Sequence, residues 1–372
     1  MSIFLSCGEA SGDYYVAKLA ARLRQKGFSG KMWGLVGPQS EASGVEKTWS
    51  MGELQLMGIG EVLSSIPRLF SLKKQIENRI IQEAPRAVVV VDSPDFHLRL
   101  LEGLRSKGYG GKVVYLCPPT VWAWRSWRVK KLRKLCDLCL PLFGFEHQFL
   151  SERGVKSLWV GHPFLDEFDL SSRFFPSFDP EKKDKVIGLL PGSRPSEVNK
   201  MLPVLLEVAH KLELEGFVPV FSIAPNLSEE MKDYVRSRSR PFEAYSGPGA
   251  ELIERSDAVV GASGTVAVEA LLRKRFMVVL YKASWSSWLA YKIFVKTPWI
   301  SIPNILAGKM VFPELLQKNA TASAVLEHLL PYLKDSAYRG KVHEFMDRAC
   351  DKLGRPGALD LWAEEVLKGV ER

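Results

Sequence analysis

What the sequence lacks narrows it first. Its 372 residues contain no uninterrupted apolar run long enough to cross a bilayer, and no stretch resembling a secretory signal. Cysteine is scarce: Cys7, Cys117, Cys136, Cys139 and Cys350. Cys136 and Cys139 have CxxC spacing, but neither a second pair nor a histidine cluster accompanies them, which disfavours zinc. A reduced, cytoplasmic protein with buried thiols is the expectation. There is no GxGxxG fingerprint and no acidic residue at the matching distance, so nicotinamide binding is disfavoured. No paired DxD-type acidic motif is present, and neither a metal nor a cofactor is expected. Acidic residues are also outnumbered, 42 against 51 basic ones, leaving a net charge of +9. Nucleic acid, an anionic membrane surface and a phosphorylated substrate are the partners such an excess allows.

What is present alternates strand and helix from the start. Ser2 to Ser6 reads as a buried strand, Cys7-Gly-Glu-Ala-Ser-Gly-Asp13 as a loop and Tyr14 to Lys26 as a helix. The glycines let backbone approach a ligand, and Glu9, Ser11 and Asp13 offer polar contacts. Lys31 to Val36 is a second strand. Val62 to Ala84 has helical spacing with Arg68, Lys73, Lys74 and Arg79 along it, which suits a membrane-resting helix or a packed one with a solvated basic face. Val88 to Val91 needs cover on both faces, as a central parallel strand would have. Asp92 emerges from its carboxyl end, where ligands of open α/β sheets collect, and is a candidate general base. Asp95 reads as a second polar candidate or a helix cap. After the strand Lys112 to Leu116, Cys117 to Arg125 combines Pro118, Pro119, Trp122 and Trp124, then continues into Trp127 and Arg128. Such interleaving fits stacked bases, sugar rings, acyl chains or a membrane interface. Leu138 to Leu142 and Leu158 to Val160 complete the strands of the first half.

Phe168 to Lys185 reads as linker, and the pattern restarts at Val186. Val186 to Leu190 is a buried strand, and Pro191-Gly192-Ser193-Arg194 leads into a long amphipathic helix. The junction offers free N–H groups, a helix dipole, a hydroxyl and a guanidinium, so it suits a phosphate or is an ordinary βα turn. Val218 to Ile223, Ala258 to Gly261 and Phe276 to Leu280 are further strands. Ser263-Gly264-Thr265 forms a second phosphate-type junction, with Glu269 one turn into its helix and suitably placed for ribose hydroxyls. Lysines and aromatics then alternate from Tyr281 to Lys296, as at a membrane interface or against a core. Two such junctions in one half point to a diphosphate, and Arg194 with the helix dipoles could stabilise it as a leaving group.

In joint order, these features resemble the lipid-A-disaccharide synthase family over nearly the whole chain. The carriers are Gly8 to Asp13, Met57 to Val62, Asp92-Ser-Pro-Asp-Phe96, Val121 to Arg125, Gly161-His-Pro163, Leu189 to Arg194, Ser263-Gly-Thr265 with Glu269, and Ile302 to Gly308. The resemblance implies a GT-B-type glycosyltransferase with two Rossmann-like βαβ domains facing a cleft. It implies an acceptor-binding domain over 1–163, a UDP-sugar domain over 164–340, and a C-terminal helix within 341–372 packed back on the first. The expected reaction joins UDP-2,3-diacylglucosamine to 2,3-diacylglucosamine 1-phosphate with inversion, giving a β-1,6-linked disaccharide and UDP. Asp92 would be the base. Gly192, Ser193, Arg194, Ser263, Gly264, Thr265, Glu269 and Asn304 would hold the nucleotide. Glu9, Ser11, Asp13, Met57, Asp95, Trp122, Trp124 and Arg125 would line the acceptor site. Peripheral contact with the anionic cytoplasmic face of the inner membrane, no nucleic acid, and a homodimer with exchanged C-terminal segments complete the expectation. The sequence departs from the family at His97, where Asn is usual, at Cys117-Pro-Pro-Thr120 and at Gly144.

Overall fold

The computed structural model describes residues 1–54, 59–167, 175, 184–283, 288 and 297–370, without the side chains of 59–66. Met57, most of the expected linker and most of the 281–296 segment lie outside the described residues. Two parallel six-stranded sheets organise the chain. The first contains β1 (Ser2–Ser6), β2 (Lys31–Val36), β3 (Glu46–Ser50), β4 (Ala87–Val91), β5 (Lys112–Leu116) and β6 (Leu138–Leu140), in the order β3-β2-β1-β4-β5-β6. The second contains β7 (Val186–Leu190), β8 (Val218–Ile223), β9 (Glu243–Ser246), β10 (Ala258–Ala262), β11 (Phe276–Tyr281) and β12 (Glu314–Leu316), in the order β12-β11-β10-β7-β8-β9.

Each sheet reverses its winding between its first and fourth strands. That reversal is the topological switch point, where the loops leaving neighbouring strand ends diverge and open a crevice. In the first sheet it falls between β1 and β4, paired from Ile3↔Ala87 to Ser6↔Val90. In the second it falls between β7 and β10, paired from Ile187↔Ala258 to Leu190↔Gly261. All five residues of β4 are fully buried, as a strand with cover on both faces requires. The sequence placed β1, β2, β5 and β8 at their observed bounds. The expected strand at Leu158 to Val160 reduces to an isolated bridge between Cys139 and Ser157.

The chain divides into two compact units, Met1–Phe168 with Leu353–Arg372, and Asp169–Lys352. The first unit runs five residues past the expected break at Pro163, and the helix within 341–372 that joins it is Ala358–Leu367. The 3-10 turn Pro163–Asp166 belongs to the first unit because the Asp166 carboxylate accepts the N–H groups of Gly357, Ala358 and Leu359, which open the helix Ala358–Leu367. That helix lays Trp362 against Tyr15, their ring centroids 5.9 Å apart. The helix Ser336–Asp351 stays with the second unit. There Lys274 pairs with Asp347, and the Cys350 thiol donates to the Leu271 carbonyl at 3.4 Å.

Candidate active site

Asp92 is the first polar group after the five buried residues of β4. It and Ser93 both adopt the left-handed region, at φ 54° and 38°, before the helix Pro94–Ser106 begins. The Asp92 carboxylate accepts the Gly8 N–H at 2.9 Å and the Glu9 N–H at 3.2 Å, both from the loop after neighbouring β1. Gly8 and Gly12 have no side chain for a specific reason. A Cβ at Gly12 would overlap Asp92 Oδ2, and one at Gly8 would overlap Ser93 Oγ. The loop glycines expected to admit a ligand admit Asp92 and Ser93. Burial pushes the Asp92 carboxyl up to about 7, against the pull of hydrogen bonds from Ser93, Gly8 and Glu9. A carboxyl that exchanges its proton near neutrality suits a general base.

Two buried side chains meet the Asp92 carbonyl. Tyr115 Oη donates to it at 2.6 Å and His97 Nδ1 lies 2.9 Å from it. His97 Nε2 stands 2.8 Å from Ser6 Oγ, and burial pushes this imidazole down to about 4, so it is neutral.

The other first-unit candidates divide. Glu9 occupies the N-cap position of the helix Ala10–Gln25 without a side-chain capping bond, and Ser11 sits half-buried in its first turn. Asp13 is buried, and its carboxylate accepts the N–H groups of Gly37, Gln39 and Ser40 and the Ser40 hydroxyl. It holds the N-terminus of the short helix Pro38–Ala42, so its carboxylate is engaged within the fold. Asp95 is exposed and pairs with Arg125 at 3.0 Å and with buried Arg128. Arg125 also lies over Trp124, 4.2 Å from the ring centroid, where a cation is attracted to the indole face. Trp122 is half-buried, its Nε1–H donating at 2.8 Å to Glu146, a carboxyl that burial pushes up to about 7. Glu146 was silent in the sequence because a capping acid and a buried anchor look alike there.

In the second unit, the pairing of β7 with β10 places both phosphate-type junctions at adjacent strand ends. Gly192 takes φ 120°, Ser193 and Arg194 are exposed, and the 20-residue helix Pro195–Leu214 follows. Glu197, in that helix's first turn, accepts the Ser193 N–H at 3.1 Å and lies 3.5 Å from Arg194. A carboxylate therefore occupies this anion position in the free chain, and a phosphate taking the Ser193 N–H must turn it aside. Asn226 Nδ2 braces the Ser193 carbonyl at 2.9 Å. Ser263 is half-buried, while Gly264 and Thr265 are exposed at the start of the helix Thr265–Leu272. Glu269 stands one turn in, its carboxyl raised by burial and opposed by Arg273 at 3.6 Å.

Asn304 differs from these candidates in its surroundings. It is fully buried, accepts the N–H groups of Val311 and Phe312, and donates to the Phe312 carbonyl and to Glu314. Its amide is committed to the fold around β12.

Comparison with known proteins bears on the family and the fold. A family model described as lipid-A-disaccharide synthetase matches residues 3–359. The lipid-A-disaccharide synthase of Pseudomonas aeruginosa strain UCBPP-PA14 is 35% identical over 381 residues, covering 100% of this chain and 99% of the relative. That of Myxococcus xanthus strain DK1622 is 34% identical over 372 residues, covering 98% and 97%. Among solved structures, Neisseria meningitidis UDP-GlcNAc 2-epimerase bound to UDP-GlcNAc superposes with a TM-score of 0.65 at 13% identity, covering 99% of this chain and 100% of that one. The calicheamicin glycosyltransferase CalG4 gives 0.57 at 14%, covering 100% and 99%. The structural likenesses establish the GT-B fold, and the full-length sequence matches establish that the chain belongs to the lipid-A-disaccharide synthase family of glycosyltransferases.

Proposed function

We propose that the protein condenses UDP-2,3-diacylglucosamine with 2,3-diacylglucosamine 1-phosphate to give the β-1,6-linked disaccharide 1-phosphate and UDP. Asp92 takes the proton of the acceptor 6-hydroxyl as its oxygen bonds to the donor's anomeric carbon. The bond from that carbon to UDP breaks, the electron pair leaves with the diphosphate, and the single displacement inverts the centre. The first unit supplies the base and acceptor contacts. The second supplies Ser193, Arg194, Ser263 and Thr265, whose N–H groups, hydroxyls and guanidinium stabilise the departing charge. The observation that supports this most is the Asp92 carboxyl, aimed from a strand end and titrating near neutrality.

The test is UDP release from the diacyl donor, with and without the lipid monosaccharide acceptor. Acceptor-dependent release that disappears in Asp92→Ala, with UDP affinity retained, supports the reading; near-normal turnover in that variant removes Asp92 from it. Arg194→Ala should weaken UDP binding, and unchanged affinity by calorimetry rejects its role.

Both substrates carry acyl chains, which suits residence on the cytoplasmic face of the inner membrane without spanning it. Among the described residues no helix is long and apolar enough to cross a membrane. Phe70 is half-exposed beside Lys73 and Arg99, an apolar and basic combination that suits an anionic interface. Flotation with anionic liposomes that is unchanged in a Phe70→Ser variant would reject this contact. In an exchanged dimer, two copies would share the contacts that Trp362 and Asp166 make here within one chain; light scattering decides between the states.

A further inference from the structure

We propose that His97 and Tyr115 are positioning residues, which lock the backbone of Asp92 through its carbonyl and thereby set the direction of its carboxylate. The inference rests on Asp92 being the base. Two consecutive non-glycine residues in the left-handed region are unfavourable and persist only where surroundings dictate them. Here the surroundings are specific. A carbonyl can only accept, so the 2.6 Å contact from Tyr115 Oη and the 2.9 Å contact from His97 Nδ1 are both donations, filling both lone pairs of Asp92 O. Because Nδ1 carries the proton in the neutral ring, Nε2 accepts from the Ser6 hydroxyl at 2.8 Å. Ser6 ends β1, Asp92 follows β4 and Tyr115 lies on β5, so three neighbouring strands fix one carbonyl oxygen.

The arrangement has the parts of a proton relay but not its connectivity. The imidazole touches the carbonyl of Asp92, not its carboxylate, so no proton passes along this chain to the base. What it transmits is geometry. With the carbonyl held, the side chain projects back over Gly12 onto the N–H groups of Gly8 and Glu9. If the carbonyl is released, the left-handed turn relaxes and the carboxylate leaves those donors. Losing N–H donors destabilises the ionised form, so the acid limb of activity should move upward. Among the described residues, the ionisable groups facing this carboxylate are Glu9 at the start of the helix Ala10–Gln25, Cys7 after β1, Tyr115 on β5 and Cys117 after it. Burial raises both thiols and the phenol and holds His97 neutral; among the described residues, Glu9 is the carboxylate whose charge acts on Asp92.

The experiment uses the full chain with Tyr115→Phe, His97→Ala, His97→Asn and Asp92→Asn, reading kcat, KM and the pH dependence of kcat/KM. Tyr115→Phe removes one hydroxyl and should lower kcat by about tenfold or more with KM little changed, the acid limb moving up. His97→Ala should do the same or worse. His97→Asn should recover most of the loss, because the Asn amide nitrogen stands the same number of bonds from Cα as His Nδ1. Wild-type kcat and an unmoved limb in Tyr115→Phe overturn the inference, and so does a His97→Asn variant no better than soluble His97→Ala. If His97→Ala does not fold, Tyr115→Phe decides. Full turnover in Asp92→Asn would instead remove the base assignment itself.

Discussion

Asn in place of Asp92 keeps the shape of the side chain and its tolerance of the left-handed region, but removes the charge. The native carboxyl titrates at about 7 rather than 3.8, chiefly because of burial. Over that interval the native state holds a proton that the unfolded chain has released. The associated stability is complete below the unfolded value and is lost as pH rises through the native one. At about 1.4 kcal/mol per pH unit, the raised carboxyl costs the fold about 2 kcal/mol at pH 5, where it stays protonated while the unfolded chain ionises, and up to about 4 kcal/mol at pH 8, where it is ionised in both states. Turning an amide NH2 toward one backbone donor returns about 1 kcal/mol of that. Asp92→Asn should therefore be more stable than wild type by about 3 kcal/mol at pH 8 and by about 1 kcal/mol at pH 5, while losing turnover. Urea unfolding at the two pH values measures both differences. No gain at pH 8, or a gain that is the same at pH 5, would refute a buried carboxyl of raised pKa.

The same titration predicts that wild-type kcat/KM rises through about pH 7 to a plateau; a flat profile from acid to neutral pH contradicts the base assignment. Gly12→Ala drives a Cβ into Asp92 and should lower kcat by about a hundredfold. Its UDP affinity should stay at the wild-type value by calorimetry, and a fall in affinity without a fall in kcat would reject the close-approach argument. Asn304→Ala strips the N–H groups of Val311 and Phe312 of their acceptor and should destabilise the chain by about 3 to 5 kcal/mol in urea. A loss below about 1 kcal/mol would return Asn304 to the ligand contacts.

Much of the fold was legible because buried parallel strands announce themselves. Val88 to Val91 and Val218 to Ile223 need apolar residues on both faces, and their sequences leave few other readings. The edge strands were not legible. Glu46–Ser50 and Glu243–Ser246 are largely exposed, and an edge strand needs no apolar alternation to pair on one side. Asp92 stood out as a candidate because an aspartate directly after a valine run has few structural uses. Asp13 and Asn304 could be read only as candidates, for the converse reason. A buried polar side chain that satisfies backbone groups is chemically identical, in sequence, to one that awaits a ligand; only its partners tell them apart. His97 stood out as a departure, yet its proposed role depends on Ser6, 91 residues away, and on Tyr115 in β5.

The return of Leu353–Arg372 to the first unit has a consequence for biosynthesis. A nascent chain leaves the ribosome N-terminus first, and domains generally fold as they emerge. The first unit cannot seat Trp362 against Tyr15, or give Asp166 its N–H donors, until every residue of the second unit has been translated. The second unit is contiguous and has no such delay. During synthesis the half that carries Asp92 therefore waits, with Tyr15 uncovered, for the half that follows it, and chaperone demand should concentrate on that interval.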